Sequence, residues 1–196
     1  MDAKWENPAV TNYLFMARLH EKKGVIPLVK AWIESPQARN LAHHLYIAGP
    51  NDGELAQLEE ILSLHQNINI GYLGAIYDQA KIELLAKTHI YILPSFSEGF
   101  PTSVLEAMNS GAMAVITDGC NFPIAIENEM ALRTTTNIED LKSTLTYLYN
   151  APLITLRDKA IRSAHWVADN YSNRSIAQQQ AALYTDLISK NIDGDK

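Results

Sequence analysis

Glu98 and Glu106 stand with seven residues between them in Pro94-Ser95-Phe96-Ser97-Glu98-Gly99-Phe100-Pro101-Thr102-Ser103-Val104-Leu105-Glu106-Ala107-Met108. An apolar run there ends in a loop of Pro, Ser and Gly, and a helix is predicted to follow at once. Amides at such a helix start, near Ser103 and Val104, lack intrahelical acceptors and combine with the helix dipole into an anion site. Gly99 admits close backbone approach because it carries no Cβ. A carboxylate only accepts hydrogen bonds, so paired sugar hydroxyls suit it. Glu98 in the loop and Glu106 about one turn into the helix thus bracket a candidate site for a sugar–diphosphate–ribose ligand. A plainer reading stands beside this one. Ser103-Val104-Leu105-Glu106 matches a capping box, in which the glutamate serves only a backbone amide, and Glu98 reads equally as a solvated loop acid.

Two further loops carry weaker signals. Arg18-Leu19-His20-Glu21-Lys22-Lys23-Gly24 places Arg18 just past an apolar run and Lys23 at the start of the next helix. Both could be cationic partners of a diphosphate; beside Glu21 on a surface they would be worth little. Gly71-Tyr72-Leu73-Gly74 could form a ledge for a nucleotide base or an ordinary turn. Other chemistry lacks its pattern. The chain has no G-x-G-x-x-G and no G-x-x-x-x-G-K-[ST], and its six histidines show no H-E-x-x-H or comparable metal spacing. His43 and His44 precede an apolar run, where one is expected to be buried and the other exposed. Asp193-Gly194-Asp195 resembles a metal-binding acid pair but falls in a tail expected to fray, and no metal or cofactor is expected.

These loops need elements to hold them. Short apolar runs at 13–17, 45–48, 68–72, 90–93 and 114–116 alternate with helical stretches near 25–33, 53–65, 78–86 and 103–109. Leu55, Leu58, Ile61 and Leu62 keep the one-sided spacing of a helix that covers a sheet. Apolar strands separated by helices predict an α/β fold: a doubly wound parallel sheet, buried on both faces, with right-handed crossovers. From about residue 137 the pattern turns helical, with segments near 138–149, 156–169 and 176–188. Residues 1–11 read as a linker or leading arm, 12–190 as one Rossmann-like domain and 191–196 as a frayed tail. In such sheets ligands bind outside the carboxyl ends of the strands, where the three loops fall.

Bulk composition agrees with a single ordinary domain. The 196 residues are 47% hydrophobic and 19% charged, with a formal net charge of -6. That charge argues against general affinity for nucleic acid or anionic lipid while leaving room for a small basic pocket. The single cysteine, Cys120, rules out an internal disulfide and suits a reducing compartment. No apolar run approaches the ~18 residues needed to span a bilayer, and the start lacks a signal-peptide pattern. The expectation is a soluble, cytoplasmic protein without membrane insertion.

Taken in order, the motifs resemble the C-terminal domain of family 4 (group 1) glycosyltransferases, which have the GT-B fold. The resemblance runs from about residue 13 to 188. Arg18 to Gly24 matches the family's Arg, four residues, Lys-Gly; Gly49-Pro50 matches its Gly-Pro step; Glu98 to Glu106 matches E-x7-E within Ser-Glu-Gly-Phe-Pro and Leu-Glu-Ala-Met. Residues 111–117 match the small residues and strand that follow.

The resemblance implies that Arg18 and Lys23 neutralise the diphosphate of a nucleotide-sugar donor, that Glu98 contacts the donor sugar and that Glu106 binds the ribose. It implies that the backbone of Gly99, Phe100, Pro101, Thr102, Ser103 and Val104 holds sugar and phosphates, and that Gly74 and Ile76 line the base pocket. The reaction implied is sugar transfer with retention of anomeric configuration, without a metal, to an acceptor such as a glycan or lipid-linked saccharide. Such enzymes carry an N-terminal acceptor domain with a catalytic histidine. Because residue 13 already begins the donor half, that domain is expected to be missing and the chain alone to be inactive. The whole enzyme is expected at the inner face of a membrane. The exposed cleft face would favour self-association.

The chain departs from the family at several points. Ala17 stands where Gly is usual and Met113 where Pro is usual; Asp118-Gly119-Cys120-Asn121-Phe122-Pro123 replaces a Gly-rich loop, and Asn128-Glu129-Met130 lacks the Gly expected after Glu127. Two alternatives stay open: a non-catalytic interaction module whose pocket has lost affinity, and a sugar phosphorylase or epimerase on the same fold.

Overall fold

The computed structural model describes residues 2–65, 67–172 and 175. Six strands, β1 (Thr11–Met16), β2 (His43–Ala48), β3 (Ile70–Tyr72), β4 (Ile90–Leu93), β5 (Met113–Ile116) and β6 (Ala131–Arg133), form one sheet. Its order is β3-β2-β1-β4-β5-β6, and every pairing is parallel. The doubly wound sheet expected from the alternation is the sheet observed. β1 lies in register with β2 from Thr11 opposite His43 to Met16 opposite Ala48. On its other side Tyr13 and Leu14 face Ile90 and Tyr91 of β4.

Seven α-helices flank the sheet among the described residues: α1 (Val25–Ile33), α2 (Leu55–Leu64), α3 (Asp78–Lys87), α4 (Thr102–Asn109), α5 (Pro123–Glu127), α6 (Ile138–Asn150) and α7 (Leu153–Tyr171). Right-handed crossovers put α1 and α2 on one face and α3 and α4 on the other. α6 packs on α1, and α7 on α4 and β5. Coverage on both faces explains why every residue of β4 and β5 is buried and apolar instead of alternating. Trp32, Tyr13, Tyr91 and Phe15 are the largest fully buried side chains.

Several details differ from the sequence reading. β2 starts at His43, because the strand extends to pair with Thr11 and Asn12, so both histidines lie inside it and both are half-buried. Burial lowers the pKa of each. β6 and α5 went unpredicted; three and five residues are too few for a periodic signal. The leading segment docks on the fold: Asp2–Trp5 form a 3-10 turn, and Trp5 is buried with its indole donating to Gly111 O at 3.0 Å. The helix predicted near 176–188, the tail at 191–196 and Asp193-Gly194-Asp195 lie outside the described residues. No helix among the described residues is long and apolar enough to cross a membrane.

Candidate functional site

The chain turns from β1 toward β2 and from β4 toward β5, so the loops after β1 and β4 diverge and leave a crevice at their carboxyl ends. Arg18–Gly24 and Pro94–Pro101 are those loops. They are stitched together. Lys22 O accepts from Phe96 N at 2.8 Å and from Ser95 Oγ at 2.9 Å. Gly24, at φ 73°, leaves room for Pro94 O, which would sit 2.2 Å from a Cβ. The loop after β5 joins them: Thr117 Oγ1 donates to Ser95 O, and Glu98 N donates to Gly119 O at 2.7 Å. On the other side Gly49, at φ 148°, abuts Ala17 O, and its amide donates to Gly74 O at 2.8 Å.

This stitched rim brings Lys23 and Glu98 together. Lys23 Nζ lies 2.7 Å from Glu98 Oε2, and each side chain is only 14% exposed. Glu98 Oε1 is buried and has no hydrogen-bond partner among the described residues. A solvated loop acid does not fit that burial. Arg18 is different: it pairs with Asp52, is 62% exposed, and so is held weakly.

The amides that follow Glu98 divide into two groups. Thr102 N donates to Phe100 O and Val104 N to Pro101 O, closing a tight first turn of α4, and Pro101 has no N–H. Val104, expected to offer a free amide, is therefore occupied. The amides of Gly99, Phe100 and Ser103 have no acceptor among the described residues. Two adjoining loop donors and a helix-start donor of this kind favour an anion.

Ser103 does not cap α4. It is the second helical residue, and its Oγ is hydrogen-bonded to Tyr91 Oη at 2.8 Å, while the Tyr91 hydroxyl donates to Met16 O. Burial pushes the Tyr91 phenol far up, so it keeps its proton. Glu106 is thus not a capping-box partner; Lys81 Nζ of α3 donates to its Oε1 at 2.7 Å. Neither Asp52 nor Lys81 stood out in the sequence, because each partner is an ordinary polar residue tens of positions away.

Glu106 lines two surface hollows. One, about 440 Å³, also touches Phe100, Thr102 and Tyr171; the other, about 480 Å³, touches Asp78, Lys81 and Asn109. Gly74 has φ 73°, and a Cβ added there would meet no atom within 4 Å. Ile76 instead lines a hollow of about 300 Å³ with Asn12, Tyr46 and Thr88, set back from the carboxyl ends. Among the described residues no three His, Cys, Asp or Glu side chains gather as a metal set.

The family pattern described as glycosyl transferases group 1 matches residues 5–165. The chain belongs to this family. An N,N'-diacetylbacillosaminyl-diphospho-undecaprenol alpha-1,3-N-acetylgalactosaminyltransferase of Campylobacter jejuni is 32% identical over 182 residues, which span 91% of this chain and 45% of that enzyme. This group 1 chain therefore covers less than half the length of that relative. Among solved structures, Anabaena HepE in complex with UDP and glucose superposes with a TM-score of 0.75 at 17% identity, over 94% of this chain and 51% of its own. The C-terminal domain of a group 1 family glycosyl transferase from Francisella tularensis superposes with a TM-score of 0.70 at 18% identity, over 87% of this chain and 91% of its own. The Rossmann-like fold is thus that of GT-B glycosyltransferase C-terminal domains.

Proposed function

We propose that this domain binds the nucleotide-sugar donor of a retaining glycosyltransferase, and that it works with an acceptor domain beyond this chain. The observation that carries the reading is the half-buried Lys23–Glu98 pair with an unpartnered carboxylate oxygen, followed directly by unused amides at Gly99, Phe100 and Ser103. Lys23 and Arg18 stabilise the leaving diphosphate, which is the main catalytic device; charge develops there as the glycosidic bond breaks. Glu98 takes sugar hydroxyls, Glu106 takes the ribose diol, and the backbone around Gly74 carries the base. No metal is needed while two cations serve the diphosphate.

The acceptor is a glycan or lipid-linked saccharide, in keeping with the diphospho-undecaprenol named for the Campylobacter enzyme, and the whole enzyme works at the cytoplasmic face of a membrane. The chain alone is inactive. Leu73, Tyr77, Phe96 and Phe100 are exposed around the same rim; uncovered, they promote weak self-association, so light scattering is expected to show a mass that rises with concentration.

Isothermal titration calorimetry against UDP, GDP, ADP and dTDP tests the central reading. One nucleotide is expected to bind, and Glu106→Ala is expected to weaken it about tenfold or more. Absence of binding to all four would sink the donor-site reading in favour of an interaction module.

A further inference from the structure

The ion pair between Lys81 and Glu106 joins α3 to α4 beside the candidate site, and none of the roles set out above uses Lys81. Its ammonium lies 2.7 Å from Glu106 Oε1, and the two side chains are 32% and 36% exposed. A pair that wet adds little to folding. Glu106 is also free of any helix-capping duty, since Ser103 is bonded to Tyr91 and sits inside α4. Asp78 lines the same hollow as Lys81 and Glu106, yet the ammonium is bonded to Glu106.

We propose that Lys81 is a positioning residue that presents the Glu106 carboxylate to a vicinal diol, a role that rests on reading Glu106 as the ribose-binding acid. A glutamate on an open helix face samples several rotamers, and ordering it on ligand arrival costs entropy. Lys81 removes that cost in advance by fixing one carboxylate oxygen. The ammonium occupies one lone-pair site on Oε1; the remaining acceptor sites, those on Oε2 among them, stay open for two neighbouring hydroxyls. The ligand class selected is a nucleotide with an intact ribose, in preference to its deoxy forms.

Calorimetry of this chain with UDP and 2′,3′-dideoxy-UDP tests the role (with GDP or ADP and its dideoxy form if that base binds instead). The wild-type chain is expected to prefer the diol. Lys81→Met is expected to cut that preference about tenfold, leave the dideoxy affinity unchanged and leave the melting temperature nearly unchanged; Lys81→Arg should restore the preference. If Lys81→Met keeps the full preference, or weakens both nucleotides alike, Lys81 does not position Glu106 and only this proposal falls. If the wild-type chain binds no nucleoside diphosphate at all, the donor-site reading itself falls and takes this role with it.

Discussion

Desolvation governs what Lys23 and Glu98 can each do. Taking two charges out of water is costly, and their mutual attraction offsets the cost only while both are present. Lys23→Met would leave the half-buried Glu98 carboxylate with neither oxygen partnered, so urea unfolding is expected to show a loss of about 2 kcal/mol. Adding Glu98→Gln should recover most of that stability, because the charge is gone, while donor binding stays weak. Recovery of binding along with stability would remove both residues from the site. Arg18, Lys23, Glu98 and Glu106 were legible as candidates from residue type and position after a strand. Their partners were not: Asp52 stands 34 residues from Arg18, and Lys81 stands 25 from Glu106. Such pairings depend on which loops and helices the sheet order makes neighbours.

At the scale of elements, three glycines let the loops approach closely enough to form one rim. Gly24 and Gly49 hold left-handed φ values and face the carbonyls of Pro94 and Ala17, while Gly119 faces Ser95 O. Gly24→Ala and Gly49→Ala each combine backbone strain with a backbone collision, and each is expected to cost at least about 2 kcal/mol in chemical denaturation. Gly99→Ala is the contrast: no atom lies within 4 Å of its added Cβ, and the change is expected to stay within about 0.5 kcal/mol. Equal tolerance at all three positions would show that the rim is not packed as described. Gly24 and Gly49 are legible in the sequence as family-like positions, but the carbonyl each one faces belongs to a different loop.

Across the whole molecule, the leading segment ties the amino-proximal edge of the fold together. Lys4 Nζ donates to Thr88 O and Ser110 O at the ends of α3 and α4, and burial lowers its pKa to about 8. His89 accepts from Asn12 N at Nδ1, donates from Nε2 to Lys4 O, and stacks edge-on with Trp5. Both ring nitrogens are used only in the neutral form, and burial, with Lys4 nearby, holds the pKa below 6.5. The unfolded chain then binds more protons than the folded one just below pH 6.5, so stability present above that pH is lost as pH falls through the folded value. His43 and His44 act in the same direction. The urea midpoint is expected to drop between about pH 7 and about pH 5, and to drop less in His89→Asn; identical slopes would remove His89 as a cause.

Local chemistry decides much of this protein. Apolar runs at 90–93 and 114–116 predict buried parallel strands because both faces must be dry, and α1 falls at the residues its pattern marks. The loop 94–101 is placed at a carboxyl end by chain order alone. Tertiary structure decides the remainder because it depends on distance through space. Only the sheet order brings Lys23 against Glu98 and half-buries both; only the placement of α3 beside α4 sets Lys81 on Glu106. The capping-box reading of Ser103 fails for the same reason: Tyr91, on the neighbouring strand, claims the hydroxyl that local sequence had assigned to the helix.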